Sequence, residues 1–139
     1  MNYASVQDMI DRYGATELAQ RSNRVDGATV DETVVTRALD DATAEIDSYL
    51  TTRYTLPLAT VPPVITRLTC DIARYQLHDD GAPETVRTRY EDAVSLLKKF
   101  SSGDVCLVGA QAQATAGDAN VYYSFSPRQI TDDILRGFA

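Results

Sequence analysis

The chain has no tryptophan, one histidine, two cysteines and two methionines among its 139 residues. Cys70 and Cys106, with His78 as the single imidazole, cannot build a zinc framework, which needs four clustered thiol or imidazole ligands. The same scarcity predicts a reduced, intracellular setting with both thiols structural. No apolar run approaches the roughly eighteen residues that span a bilayer. The opening MNYASVQDMIDRYG carries acids and has neither a basic nor an apolar region of a signal peptide. Basic residues are also outnumbered, with 13 Lys and Arg against 20 Asp and Glu, a net charge of −7. That balance argues against general nucleic-acid binding, which rests on clustered cations, yet suits a wall past which a phosphate backbone slides. No G-x-S-x-G, P-loop or dinucleotide fingerprint is present, and no nucleophile motif surrounds His78, so an enzyme is not expected. Neither a cofactor nor a metal is expected.

What is present is helical periodicity in a chain long enough for one core. Ser5 and Asp8 are spaced as a capping box for a short helix through Met9, Ile10 and Tyr13, which Gly14 ends with a left-handed cap. Thr16 is expected to cap a second short helix from Glu17 to Ser22, and residues 23–28 form a loop. Thr29 and Glu32 read as another capping box, opening a long helix from Val30 to Arg53. Val35, Ala38, Leu39, Ala42, Ile46, Tyr49 and Leu50 trace one face of it, while Asp40, Asp41, Glu45 and Asp47 lie mainly off that face. Pro57 stops it.

Pro62 and Pro63 pre-set the first turn of a helix to about His78, lined by Ile65, Leu68, Ile72, Tyr75 and Gln76. Arg67, Asp71 and Arg74 are spaced to pair along its flank. Residues 79–81 form a turn. Pro83 opens a helix to about Ser101, with Lys98 and Lys99 in its last turn and Gly103 closing it. The fold class is therefore mainly α, a bundle of three long and two short helices over residues 1–108.

Beyond Gly103 the texture changes. Residues 105–108 are a short apolar run, a strand or an extended packing segment. Residues 109–120 read as a flexible arm. Val121 to Phe125 has strand character, and Ser126-Pro127-Arg128-Gln129 caps a last helix over 127–136 with a stripe of Ile130, Ile134 and Leu135. Tyr122, Tyr123 and Phe125 are placed as interface residues, the alternative being that their strand folds back onto the bundle.

Several constellations have plain readings. The pairs Asp40/Asp41, Asp79/Asp80 and Asp132/Asp133 lack a glycine-bearing calcium loop and read as solvated faces or turns. Residues 16–20 with 34–39 echo a helix-turn-helix, but the interval is too long for its turn and the second helix runs into Asp40-Asp41. Tyr49, Tyr54, Tyr75 and Tyr90 sit at helix-face spacing, at the core or its edge with hydroxyls toward the rim.

In order along the chain, Ile46-Asp47-Ser48-Tyr49-Leu50, Arg53-Tyr54 with Leu56-Pro57-Leu58, Asp71-Ile72-Ala73-Arg74-Tyr75 and Arg89-Tyr90-Glu91-Asp92-Ala93 resemble the small head–tail connector proteins of Mu-like phages and prophages. The resemblance covers residues 1–108 and, more loosely, Ile134-Leu135-Arg136-Gly137-Phe138, and departs from the family pattern at 110–120. It implies a helical structural adaptor of the virion, present in the host cytoplasm during assembly. Copies would form a ring, a dodecamer, under the portal protein and above a tail-completion or stopper protein, with DNA passing through and no membrane contact. Candidate contact residues are then Arg37, Arg53, Tyr54, Asp71, Arg74, Tyr122, Tyr123, Phe125, Ile130, Ile134, Leu135 and Phe138. The candidate channel face is Asp40, Asp41, Glu45 and Asp47. A small cytoplasmic regulatory or DNA-binding module is the alternative.

Overall fold

A computed structural model describes residues 2–78 and 81–108. The expectations for Asp79, Asp80 and the whole of 109–139, including the strand at 121–125, the helix at 127–136 and the contact residues from Tyr122 to Phe138, lie outside them. The described residues form five helices: α1 (Val6–Tyr13), α2 (Ala15–Ser22), α3 (Glu32–Leu50), α4 (Pro63–Leu77) and α5 (Glu84–Ser102). None is long and apolar enough to cross a membrane. The chain is mainly helical, and no strand occurs among the described residues.

The capping box at α1 forms as the spacing requires. Ser5 Oγ accepts the Asp8 amide at 3.1 Å, and the Asp8 carboxylate accepts the Ser5 amide at 2.9 Å. Two other caps differ from expectation. Gly14 joins α1 directly to α2, serving as C-cap of one and N-cap of the other with φ 89° and ψ 147°. This backbone is glycine-favouring without being a left-handed helical cap, and α2 starts at Ala15 with no side-chain cap from Thr16. At α3 the cap is Asp31, whose carboxylate accepts the amides of Thr33 and Val34 at 3.0 and 3.3 Å. Aspartate is at least as good an N-cap as threonine, and here the Ser22 hydroxyl also holds its amide, at 2.9 Å.

α3 is also shorter than its periodicity suggested, 19 residues and about 28 Å. It closes at Leu50, whose carbonyl accepts the amides of both Arg53 and Tyr54 at 3.1 and 2.9 Å. The turn thus ends the helix before Pro57 is reached. α5 ends as expected on Gly103, left-handed at φ 88° and ψ 3°, its amide bonded to the Lys99 carbonyl.

Helices α3, α4 and α5 pack mutually, with the α1–α2 hairpin against α3 and α4. Val35, Ile46, Leu50, Ile65, Ile72 and Leu97 are fully buried at their junction. At about 25 cal/mol per Å² of apolar surface, this burial is the main term stabilising the fold. The inward face of α4 is wider than expected, taking in Thr69, Cys70, Asp71 and Ala73, because helices pack on both its sides. Tyr75 and Gln76 are half-buried. Tyr75 stacks on Tyr90 of α5 with ring centroids 4.2 Å apart. After α5 the apolar run takes the packing form: Leu107 is buried, while Val105 and Val108 are exposed.

Candidate interaction surfaces

The polar side chains fall into those spent inside the fold and those left outside it. Tyr3 is clamped from two helices. Its amide donates to Thr43 Oγ1 at 3.3 Å, its hydroxyl to Asp47, and its carbonyl accepts from Thr66 Oγ1 at 3.0 Å. Burial and the neighbouring Asp47 carboxylate both push the Tyr3 phenol well above its ordinary range, so it stays a donor. Tyr13 makes the corresponding bond to Asp71, at 2.6 Å, and is raised for the same reasons. Arg74 grips Glu17 with both Nε and Nη2, at 2.8 and 2.9 Å, while its guanidinium lies 4.3 Å from the Tyr13 ring centre. The Arg74 bonds hold the Glu17 carboxyl below its usual range, although burial opposes this. His78 Nδ1 is 2.8 Å from the Arg74 carbonyl.

These bonds redraw the expected contact residues. Asp71 is buried on Tyr13, and Arg74 on Glu17, so the flank pairing of Asp71 with Arg67 or Arg74 does not form as hydrogen bonds. Tyr54 is 5% exposed, and its hydroxyl accepts the Leu107 amide at 2.9 Å. It belongs to the interior and not to an outer contact face, because the turn after Leu50 swings it back under the end of α5. Arg53 stays exposed, its guanidinium lying over Gly103.

The proposed acidic face splits in the same way. Asp40 and Asp41 are exposed on α3. Glu45 and Asp47 are half-buried, and each accepts from a tyrosine: Tyr90 for Glu45, at 3.4 Å, and Tyr3 for Asp47. Burial raises the Glu45 carboxyl above its usual range. What remains outward on α3 is an edge where Glu32, Arg37 and Asp40 line one shallow depression, with Asp41 beside it.

A second polar surface is marked by no sequence motif. A cleft of about 420 Å³ opens between α1, α4 and α5, edged by Arg12, Arg67 and Arg89, with Tyr13, Asp71 and Asp92 also lining it. Periodicity marks Arg67 and Arg89 as outward positions beside the buried Leu68 and Ala93. Only the packing of three helices brings their charges together. A third surface is apolar, a groove of about 490 Å³ lined by Val61, Val64, Leu96, Val105 and Val108 among others. Among the described residues no group of three or more His, Cys, Asp or Glu is placed to hold a metal ion.

The chain matches the family model described as Bacteriophage Mu, Gp36 over residues 3–124. It is 43% identical over 105 residues to the Mu-like prophage FluMu protein gp36 of Haemophilus influenzae, covering 76% of this chain and 74% of that protein. It is 38% identical over 105 residues to gene product J of Escherichia phage Mu, covering 74% of each.

Proposed function

Because this chain belongs to the Bacteriophage Mu, Gp36 family, we propose that it is a structural virion protein. In this reading it is a head–tail adaptor without catalytic activity. Copies assemble as a ring, a dodecamer, beneath the portal protein and above a tail-completion or stopper protein. DNA passes through the ring without sequence-specific binding. The observation that carries the reading is the division of polar groups. Tyr3, Tyr13, Glu17, Asp71 and Arg74 are committed to bonds that tie separate helices together, and His78 to the carbonyl of Arg74 in its own helix. Arg37, Asp40, Asp41 and Arg53 face outward on a rigid frame. Such a frame presents fixed charges to neighbours, which is what a contact that closes by rotation requires. The acidic balance of the chain, a net charge of −7, suits a channel wall past which phosphate slides.

Electron microscopy and native mass spectrometry of the full chain mixed with its portal test this. Rings seated on the portal are expected. A strictly monomeric protein that ignores the portal and binds duplex DNA with a steep salt dependence would refute it.

A further inference from the structure

The arginine cleft holds more positive charge than the fold uses. Arg12 is exposed and lies near enough to the buried Cys70 for its charge to act on that thiol. Arg67 and Arg89 are exposed and make no ion pair or hydrogen bond with the described residues. Of the two acids in the cleft, Asp71 is taken by Tyr13, leaving Asp92 at the edge. The cleft therefore offers three guanidinium groups and one open carboxylate.

The outward edge of α3 offers the reverse. Glu32, Asp40 and Asp41 are exposed there with a single cation, Arg37, between them. None of these four makes an ion pair with the described residues. The two surfaces are built from different helices, α1, α4 and α5 for the cleft and α3 for the edge. Both are displayed by every copy.

We infer that the cleft between α1, α4 and α5 receives the acidic edge of α3 from a second copy of this chain. Arg67 and Arg89 meet Asp40 and Asp41, and Arg37 meets Asp92. Guanidinium suits this contact because its planar fork engages a carboxylate in two bonds at once. Since one surface meets a different one, the contact is head-to-tail and can propagate into a closed ring. Duplex DNA is a poorer occupant, because Asp71 and Asp92 stand in the cleft and the chain carries a net charge of −7. The inference rests on the ring reading above and names the surfaces that would make it.

Charge swapping in the full chain tests it, with self-association followed by analytical ultracentrifugation. In about 0.1 M salt the screening length is about 10 Å, falling to about 3 Å at 1 M, so association is expected at the lower salt and weakening at the higher. R67E/R89E and D40R/D41R should each weaken association by about tenfold or more. A one-to-one mixture of the two should recover it, because each then supplies the surface the other lacks. All four side chains are exposed, so helical circular dichroism should be unchanged. R67Q/R89Q, which removes charge without reversing it, should give an intermediate loss. Unchanged association in R67E/R89E, or a mixture that fails to recover, overturns the inference while leaving a portal-bound ring standing. A wild-type chain that stays monomeric near millimolar concentration overturns it too. Loss of duplex DNA binding in R67E/R89E with self-association intact would make the cleft a phosphate site instead.

Discussion

The Glu17–Arg74 pair is the bond most exposed to quantitative challenge, because it fixes the α1–α2 hairpin to α4 across 57 positions of sequence. Its side chains are 29% and 17% accessible, between an open surface pair, worth about 0.2–1 kcal/mol, and a buried one, costing about 3–5 kcal/mol when one partner is removed. The bidentate geometry raises the value and the residual exposure lowers it, which places the coupling energy at about 1–2 kcal/mol. Arg74→Ala should cost more than Glu17→Ala, since it also loses the contact with the Tyr13 ring, worth about 0.5–1 kcal/mol. A double-mutant cycle by urea denaturation measures the coupling directly. The dependence on pH supplies a second reading. Glu17 is lowered in the folded chain, so its contribution is complete above the ordinary glutamate range and is lost as pH falls through the folded value. Glu17→Gln should remove that component of acid destabilisation. A coupling under about 0.3 kcal/mol, inside the usual additivity error, together with an unchanged acid limb in Glu17→Gln, would refute the reasoning.

Three further outcomes follow from the interior. Tyr54→Phe strips the acceptor from the buried Leu107 amide and should cost about 1–3 kcal/mol, with faster proteolysis around residues 105–108 than in the parent chain. A thiol reagent should modify one cysteine quickly, the exposed Cys106. Cys70, buried and pushed up to about 12, should react only on unfolding, and two equally fast thiols would contradict the packing of α4. Gly103→Ala should destabilise by about 1 kcal/mol from its φ of 88°. Arg53→Ala should restore little of this in the double variant, since the guanidinium over Gly103 can move aside whereas the backbone cannot.

Five helices and most of their ends were legible in the sequence, because apolar spacing, prolines and Gly103 act within a few residues of one another. The Ser5–Asp8 box formed for that reason. Local spacing does not decide the cap of α3, because Thr29 and Asp31 compete there and the Ser22 hydroxyl, nine positions away, holds the Asp31 amide at the helix start. Periodicity carries α3 on to Arg53 because Pro57 marks only the last place a helix can stop, whereas the turn onto the Leu50 carbonyl ends it earlier. The site was less legible still. Outward residues could be recognised as outward, as Arg37, Asp40, Asp41 and Arg53 were.

By itself, then, the sequence determined a mainly helical bundle, its apolar faces and an acidic balance, since these depend on local spacing and composition. Only the tertiary structure decided which polar groups are spent and which are free. Tyr54 and Asp71 went to the interior because a turn and a neighbouring helix reached them. Arg12, Arg67 and Arg89 became one cleft because α1, far from them in sequence, meets the successive helices α4 and α5 there. A side chain's partner is set by packing distance, and packing distance is not written in periodicity.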